Sequence, residues 1–451
     1  MAKEQEQNIR EAPRGCGGLL RNIGPGVVVS GSVVGSGELL VTTRMGAEVG
    51  FVFLWGVIVA SVIKYFIQLE IGRQCLLNDA TTIQALDRVR GFKLRNTSWN
   101  AWLCMFGFLG VMVALVGILG SVGGLMNSVF PFLSKPLWNC VIFVLLSVLL
   151  YRGLYEDLEK MVAFLVTTFS LIVIFCVLAL QSTEHAITGA QLISGLRLAM
   201  PAEGAFTALA VMGSVVATAV ELFMYPYWIR EKGYPRFVGP RDDSPGWQER
   251  YRGWMRVVAM DAGVCTGIAV IITCAYYLLG ASILNKLEIL PEGYDVVDSV
   301  SLIFTESLGG WAKNIFMFGA FCTLFSTLLV FAASSGRIVL DFLSQISAVV
   351  PQTSDQRMRL LRALQIGIPF VWLIGELVYA KTPFLLLRIG ANGNNLLLIP
   401  LAFGIMHLAM RLDGRVRMPM SIEVGLLVTI WIVTMFTGFN LLQLWGGGGG
   451  H

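Results

Sequence analysis

The chain has 451 residues, 55% of them hydrophobic and 14% charged, with a mean hydropathy of +0.71. So apolar a composition excludes a soluble globule and points to an all-α polytopic membrane protein. The formal net charge of +4 gives no sign of nucleic-acid binding.

Residues 1–23 are polar and carry Arg10, Arg14 and Arg21 without an apolar core, so they read as a cytoplasmic tail rather than a cleavable signal. Residues 24–51, GPGVVVSGSVVGSGELLVTTRMGAEVGF, are apolar and long enough to cross a bilayer, but a glycine run interrupts them. Gly31, Gly35 and Gly37, with Ser30, Ser32 and Ser36 between them, leave a helix face unfilled and make non-helical backbone cheap. An unwound patch is expected near residues 34–37. Backbone groups freed at membrane depth are tolerated only where protein buries them or they line a wet cavity, so such a break is the expected address of a transported substrate. Glu38 stands beside it, and a carboxylate at that depth is by default functional. Two structural alternatives stand next to this reading: the glycines permit close helix packing, and Glu38 is a first-turn acid on a restarted helix.

Further spans are expected at about 50–72, 99–127, 136–153, 156–180, 203–230, 254–283, 311–341, 363–380, 384–410 and 420–443, which makes eleven. Segments 1–23, 73–98, 152–160, 230–256, 337–362 and 411–417 hold 25 of the 33 Lys and Arg residues. They alternate with poorly basic loops, which places the amino terminus inside and the carboxyl terminus outside. The sixth span repeats the features of the first, with the pair Gly213 and Ser214 and the acid Glu221. Interrupted spans at matching positions in two five-helix halves, residues 24–180 and 201–410, imply an inverted repeat of the leucine-transporter type. An eleventh helix at 420–443 and a glycine tail at 446–451 complete the chain.

The first span resembles, without a gap, that of the Nramp family of proton-coupled divalent-metal transporters, whose pattern runs GPG, DPGN, then GAxxGY. Here GPG is residues 24–26 and GAEVGF is 46–51, but the metal-binding tetrad reads Gly35, Ser36, Gly37, Glu38. Further points of resemblance are Gln68, Glu70 and Gly72, the YxxLEK run at 155–160, WMRVVAMD at 254–261, SSGRIVLDFL at 334–343 and IPL at 399–401. The resemblance implies the leucine-transporter-type fold and a cation site between the first, sixth and tenth spans. Its MPHN motif aligns so that Ala217 stands for the methionine and Ala219 for the histidine, and its tenth-span glutamine falls near Gly393, amid Asn392, Asn394 and Asn395.

The candidate site is therefore Gly35, Ser36, Gly37, Glu38, Ala217, Thr218, Glu221, Asn392 and Asn394, with Glu38 the candidate metal ligand. Without thioether or imidazole, carboxylate, amide, hydroxyl and carbonyl oxygens suit hard ions of the magnesium, calcium or manganese type. The expected function is an Nramp-related secondary transporter of such a cation. The alternative is a transporter of the same fold for a non-metal solute such as a small organic cation, with sodium held between first-span carbonyls and hydroxyls such as Ser334 and Ser335. The asparagines also read as a cap and kink of the tenth span. Proton coupling is expected to be weak or absent, because no Asp or Glu lies between Asp87 and Glu156, leaving Glu38, Glu221 and Glu376 as deep acids. Lys64 either snorkels or pairs inside, and Arg388 is expected to pair with Glu376 or Glu221, which would make Glu221 structural. The eight cysteines form no CxxC pair and read as packing residues. No nucleophile with its base, metal triad or phosphate loop is legible, so an enzyme is not expected. The expected partners are the lipid bilayer and a small ion, with no permanently bound cofactor.

Overall fold

The computed structural model of the chain describes residues 9–35, 37–152, 155–199, 218–290, 305, 309–379 and 383–446, without the side chains of a few of them. Helices dominate: α1 (Pro25–Val33), α2 (Thr43–Val49), α3 (Leu54–Asn78), α4 (Trp99–Val129), α5 (Lys135–Arg152), α6 (Tyr155–Leu180), α7 (Ala219–Lys232), α8 (Pro245–Leu279), α9 (Gly310–Gln345), α10 (Ser354–Val378), α11 (Pro383–Ala409) and α12 (Met420–Gly446). Short helices and a two-stranded hairpin, β1 (Lys93–Leu94) with β2 (Thr97–Ser98), fill the connections. Seven described helical stretches are long and apolar enough to cross a membrane, and three more are shorter but apolar. The sixth expected span, 203–230, is described only from Thr218 onward.

Local chemistry starts these helices where they start. Ser98 Oγ accepts from Ala101 N at the head of α4, Ser244 Oγ from Trp247 N at α8, and Thr353 Oγ1 from Gln356 N at α10. Each hydroxyl satisfies an amide that the first helical turn leaves open, and Pro245 fits the first position of α8 because it has no amide to lose. Large apolar side chains such as Phe106, Val144, Phe164, Leu178, Ile271, Val371 and Trp431 face outward, whereas Arg73, Glu70, Asp261 and Thr273 are buried. That inversion of a soluble protein's pattern is what a hydrocarbon solvent requires.

The first span lies at the centre. α1 packs against α6, α7, α8 and α9, while α3 packs on α7, α8 and α12, and α4 on α5, α9, α10 and α11. α1 ends at Val33, and Val34 leaves the helix with ψ of 67°. The chain resumes as a wide π turn, Gly37–Thr42, which runs into α2. The interruption thus falls at residues 34–35, inside the expected patch; Ser36 lies outside the described residues. A Cβ at Gly35 would meet Thr327 Oγ1 of α9 at 2.0 Å and Ser32 O at 2.6 Å, so glycine here is a condition of helix contact. Further along, a Cβ on Gly46 would meet Tyr277 O at 2.3 Å, and one on Gly280 would meet Thr43 O at 2.2 Å. α2 and the end of α8, where a second π turn runs over Gly280–Leu284, therefore touch backbone to backbone.

Candidate substrate site

α7 opens after Thr218, whose backbone N–H donates to Glu221 Oε2 at 2.5 Å. The carboxylate thus sits in a first helical turn, where open amides and the helix dipole favour a negative charge. Ser32 of α1 also approaches it, and the charge of Lys64 on α3 interacts with it. Glu221 is 1% exposed.

Against this turn lies a cavity of about 50 Å3, whose polar wall is Ser32, Thr218, Glu221, Thr327 and Asn394 and whose apolar wall includes Val111 and Phe331. That is room for roughly three or four waters, or an ion with part of its shell. Two oxygens on this wall are short of a donor. Asn394 Oδ1 makes no hydrogen bond, and the Thr218 hydroxyl, though close to Glu221, completes none. Both residues are more than nine-tenths buried. A buried acceptor left open costs free energy unless something absent from the protein itself fills it. One carboxylate and two open oxygens around a small cavity can take up a cation.

The model of the family described as natural resistance-associated macrophage protein-like matches residues 26–443, nearly the whole chain. The chain belongs to the Nramp family. It is a membrane transporter by family, and not an enzyme. A histidine-to-alanine variant of the Eremococcus coleocola manganese transporter is similar in structure, with a TM-score of 0.67 at 14% identity over 98% of this chain and 91% of that one. A nucleobase-cation-symport-1 family transporter, closed around bromovinylhydantoin, superposes with a TM-score of 0.57 at 14% identity, covering 96% and 94% of the two chains. MhsT in complex with L-phenylalanine gives 0.53 at 12% identity over 95% and 100%. These likenesses establish the leucine-transporter-type fold. No curated protein matches the chain in sequence.

In this Nramp chain the residues singled out by sequence separate. Gly37, Thr218, Glu221 and Asn394 line the cavity, and Gly35 presses on Thr327 at its edge. Ser36 and Ala217 lie outside the described residues, as do the side chains of Asn392, Asn395 and Arg388. Glu38, the candidate metal ligand, lies apart from this lining. It is fully buried but not among the lining residues: Oε2 accepts from Gly35 N at 3.1 Å, and Oε1 lies 3.4 Å from Thr273 Oγ1 of α8, whose nearer acceptor is Ala269 O at 2.7 Å. Its carboxylate thus braces the broken turn. Glu376, one of the deep acids, is held by Lys135 Nζ at 2.5 Å. Lys64 does not snorkel: it is 1% exposed, and its charge interacts with both Glu221 and Glu38.

The hydroxyls of α9 that reach the first span are not Ser334 and Ser335. Ser334 Oγ donates back to Val330 O at 2.8 Å, and Ser335 Oγ faces Met112 Sδ at 3.5 Å. Ser326 Oγ instead donates to Gly31 O at 2.7 Å and Thr327 Oγ1 to Ser32 O at 3.5 Å. Thr323, Ser326 and Thr327, spaced i, i+3, i+4 on an apolar helix, were the signal for this polar face.

Proposed function

We propose that the chain is a secondary transporter of a hard divalent cation, of magnesium, calcium or manganese type, held at the cavity by Glu221, Thr218 and Asn394. The observation that carries this reading is the pair of open oxygens, Asn394 Oδ1 and Thr218 Oγ1, beside a buried carboxylate. All three are hard oxygen donors, and the described lining includes no thioether or imidazole to favour soft ions. A cavity of about 50 Å3 suits an ion with some of its water better than an organic solute, whose pockets run to about 300 Å3 or more. Weak or absent proton coupling fits α4, which carries no acidic, basic or histidine residue along its length.

Isothermal calorimetry of the purified protein against magnesium, calcium, manganese and cadmium tests the reading. Hard ions should bind without any advantage for cadmium. Glu221→Gln should weaken them by about tenfold or more, since a neutral amide offsets dehydration poorly. Preferential cadmium binding, or an unchanged affinity in Glu221→Gln, would overturn the proposal.

A further inference from the structure

A carrier has to reorient with its site empty as well as full, and buried net charge opposes both steps. Three buried ionisable side chains contribute to that charge beside the site. Glu38 is 0%, Glu221 1% and Lys64 1% exposed. Lys64 lies near the middle of α3, which packs on α7, the helix that carries Glu221, and on α8, the helix whose Thr273 approaches Glu38. Its ammonium interacts with both carboxylates. Glu221 is the only charged residue on the cavity wall among the described residues, and Lys64 is a buried cation whose charge reaches it.

We propose that Lys64 is a tethered counter-ion which makes the return of the empty site feasible. This rests on the divalent-cation reading given above. Two ionised carboxylates and one ammonium leave the empty site at −1, and a divalent ion brings it to +1. Without Lys64 the same states would be −2 and 0. Because the cost of burying charge grows with its square, the lysine makes the two legs comparable, whereas its loss would make the empty leg about four times as costly. It acts on reorientation and is not itself a ligand. Loss of its charge leaves the acids more attractive to a divalent ion, so binding and net transport should move in opposite directions.

The test uses the full chain in proteoliposomes with radiolabelled manganese, comparing net uptake into manganese-free vesicles with exchange against internal manganese. Exchange never requires the empty site to return. Lys64→Met should keep or raise exchange, because the loaded site goes from +1 to 0, while net uptake falls about tenfold or more. Calorimetry should show that it binds manganese more tightly than the parent. Lys64→Arg, which keeps the charge, should preserve both modes of transport. In the parent, internal manganese should accelerate uptake by no more than about twofold, a measurement that stands even where Lys64→Met does not fold. Equal loss of exchange and net uptake in Lys64→Met, loss of neither, or strong acceleration by internal manganese in the parent would overturn the role of Lys64. A parent protein that neither binds nor exchanges manganese, magnesium or calcium would instead remove the divalent-cation reading, and the lysine proposal with it.

Discussion

Thr327 Oγ1 stands where a side chain at Gly35 would begin, 2.0 Å from its Cβ position. Placing an aspartate there must therefore push α9 away from the first span. The triple variant Gly35→Asp, Glu38→Asn, Ala217→Met is expected to lose about 1–3 kcal/mol of stability by overpacking. It should gain no cadmium binding. Adding Thr327→Ala removes the clashing oxygen and should recover part of the melting temperature in detergent. A triple variant that melts with the parent would show that α9 yields freely. Sequence marked Gly35 as unusual but not what occupies its space, because Thr327 is almost three hundred residues away. Nor did it give the direction of Glu38. Whether that carboxylate meets a cavity or Thr273 depends on how α8 lies beside the break, which no local pattern encodes.

Among the elements, the head of α1 is held by a carboxylate from another helix. Gly24, its N-cap, has no side chain to satisfy the first amides, and Asp261 of α8 supplies the acceptor: Gly24 N donates to Oδ1 at 2.8 Å and Gly26 N to Oδ2 at 2.6 Å. Tyr225 OH of α7 donates to Oδ2 as well, at 2.8 Å. One carboxylate thus joins α1, α7 and α8. Asp261→Asn keeps a single acceptor oxygen for these three donors and turns an amide donor toward a backbone N–H. It should cost about 1.5–3 kcal/mol, read as a lower melting temperature with the helical content unchanged. A drop within error of zero would mean that water replaces the lost acceptor. The motifs on both sides of this contact, GPG at 24–26 and WMRVVAMD at 254–261, stood out in the sequence as marks of resemblance. Their meeting was not legible, since they are separated by five other spans.

Over the whole molecule, the apolar runs and the alternation of basic segments made most of the architecture readable, because a bilayer imposes length and charge rules on each span separately. Four of those basic segments gather at one end. Arg230 pairs with Asp79 at 2.8 Å, Lys232 with Glu159 at 2.7 Å and Arg337 with Glu231 at 3.0 Å. If that end faces the cytoplasm, a cysteine placed at exposed Pro245 in a Cys16→Ser background should be labelled by an impermeant thiol reagent only in broken or inverted membranes. Strong labelling of Pro245→Cys on intact cells would reverse the orientation. The same view gives the central break a mechanical meaning. α1 is fastened to α8 through Asp261, and α2 is fastened to the other end of α8 where Gly46 and Gly280 admit bare backbone contact. The first tie is made of hydrogen bonds that water can replace one by one; the second has no intervening side chains to rearrange. α8 is therefore a shaft with one clutch and one rigid coupling. Any movement of α1 against α8 has to break the hydrogen bonds to Asp261, whereas α2 and the far end of α8 meet through bare backbone.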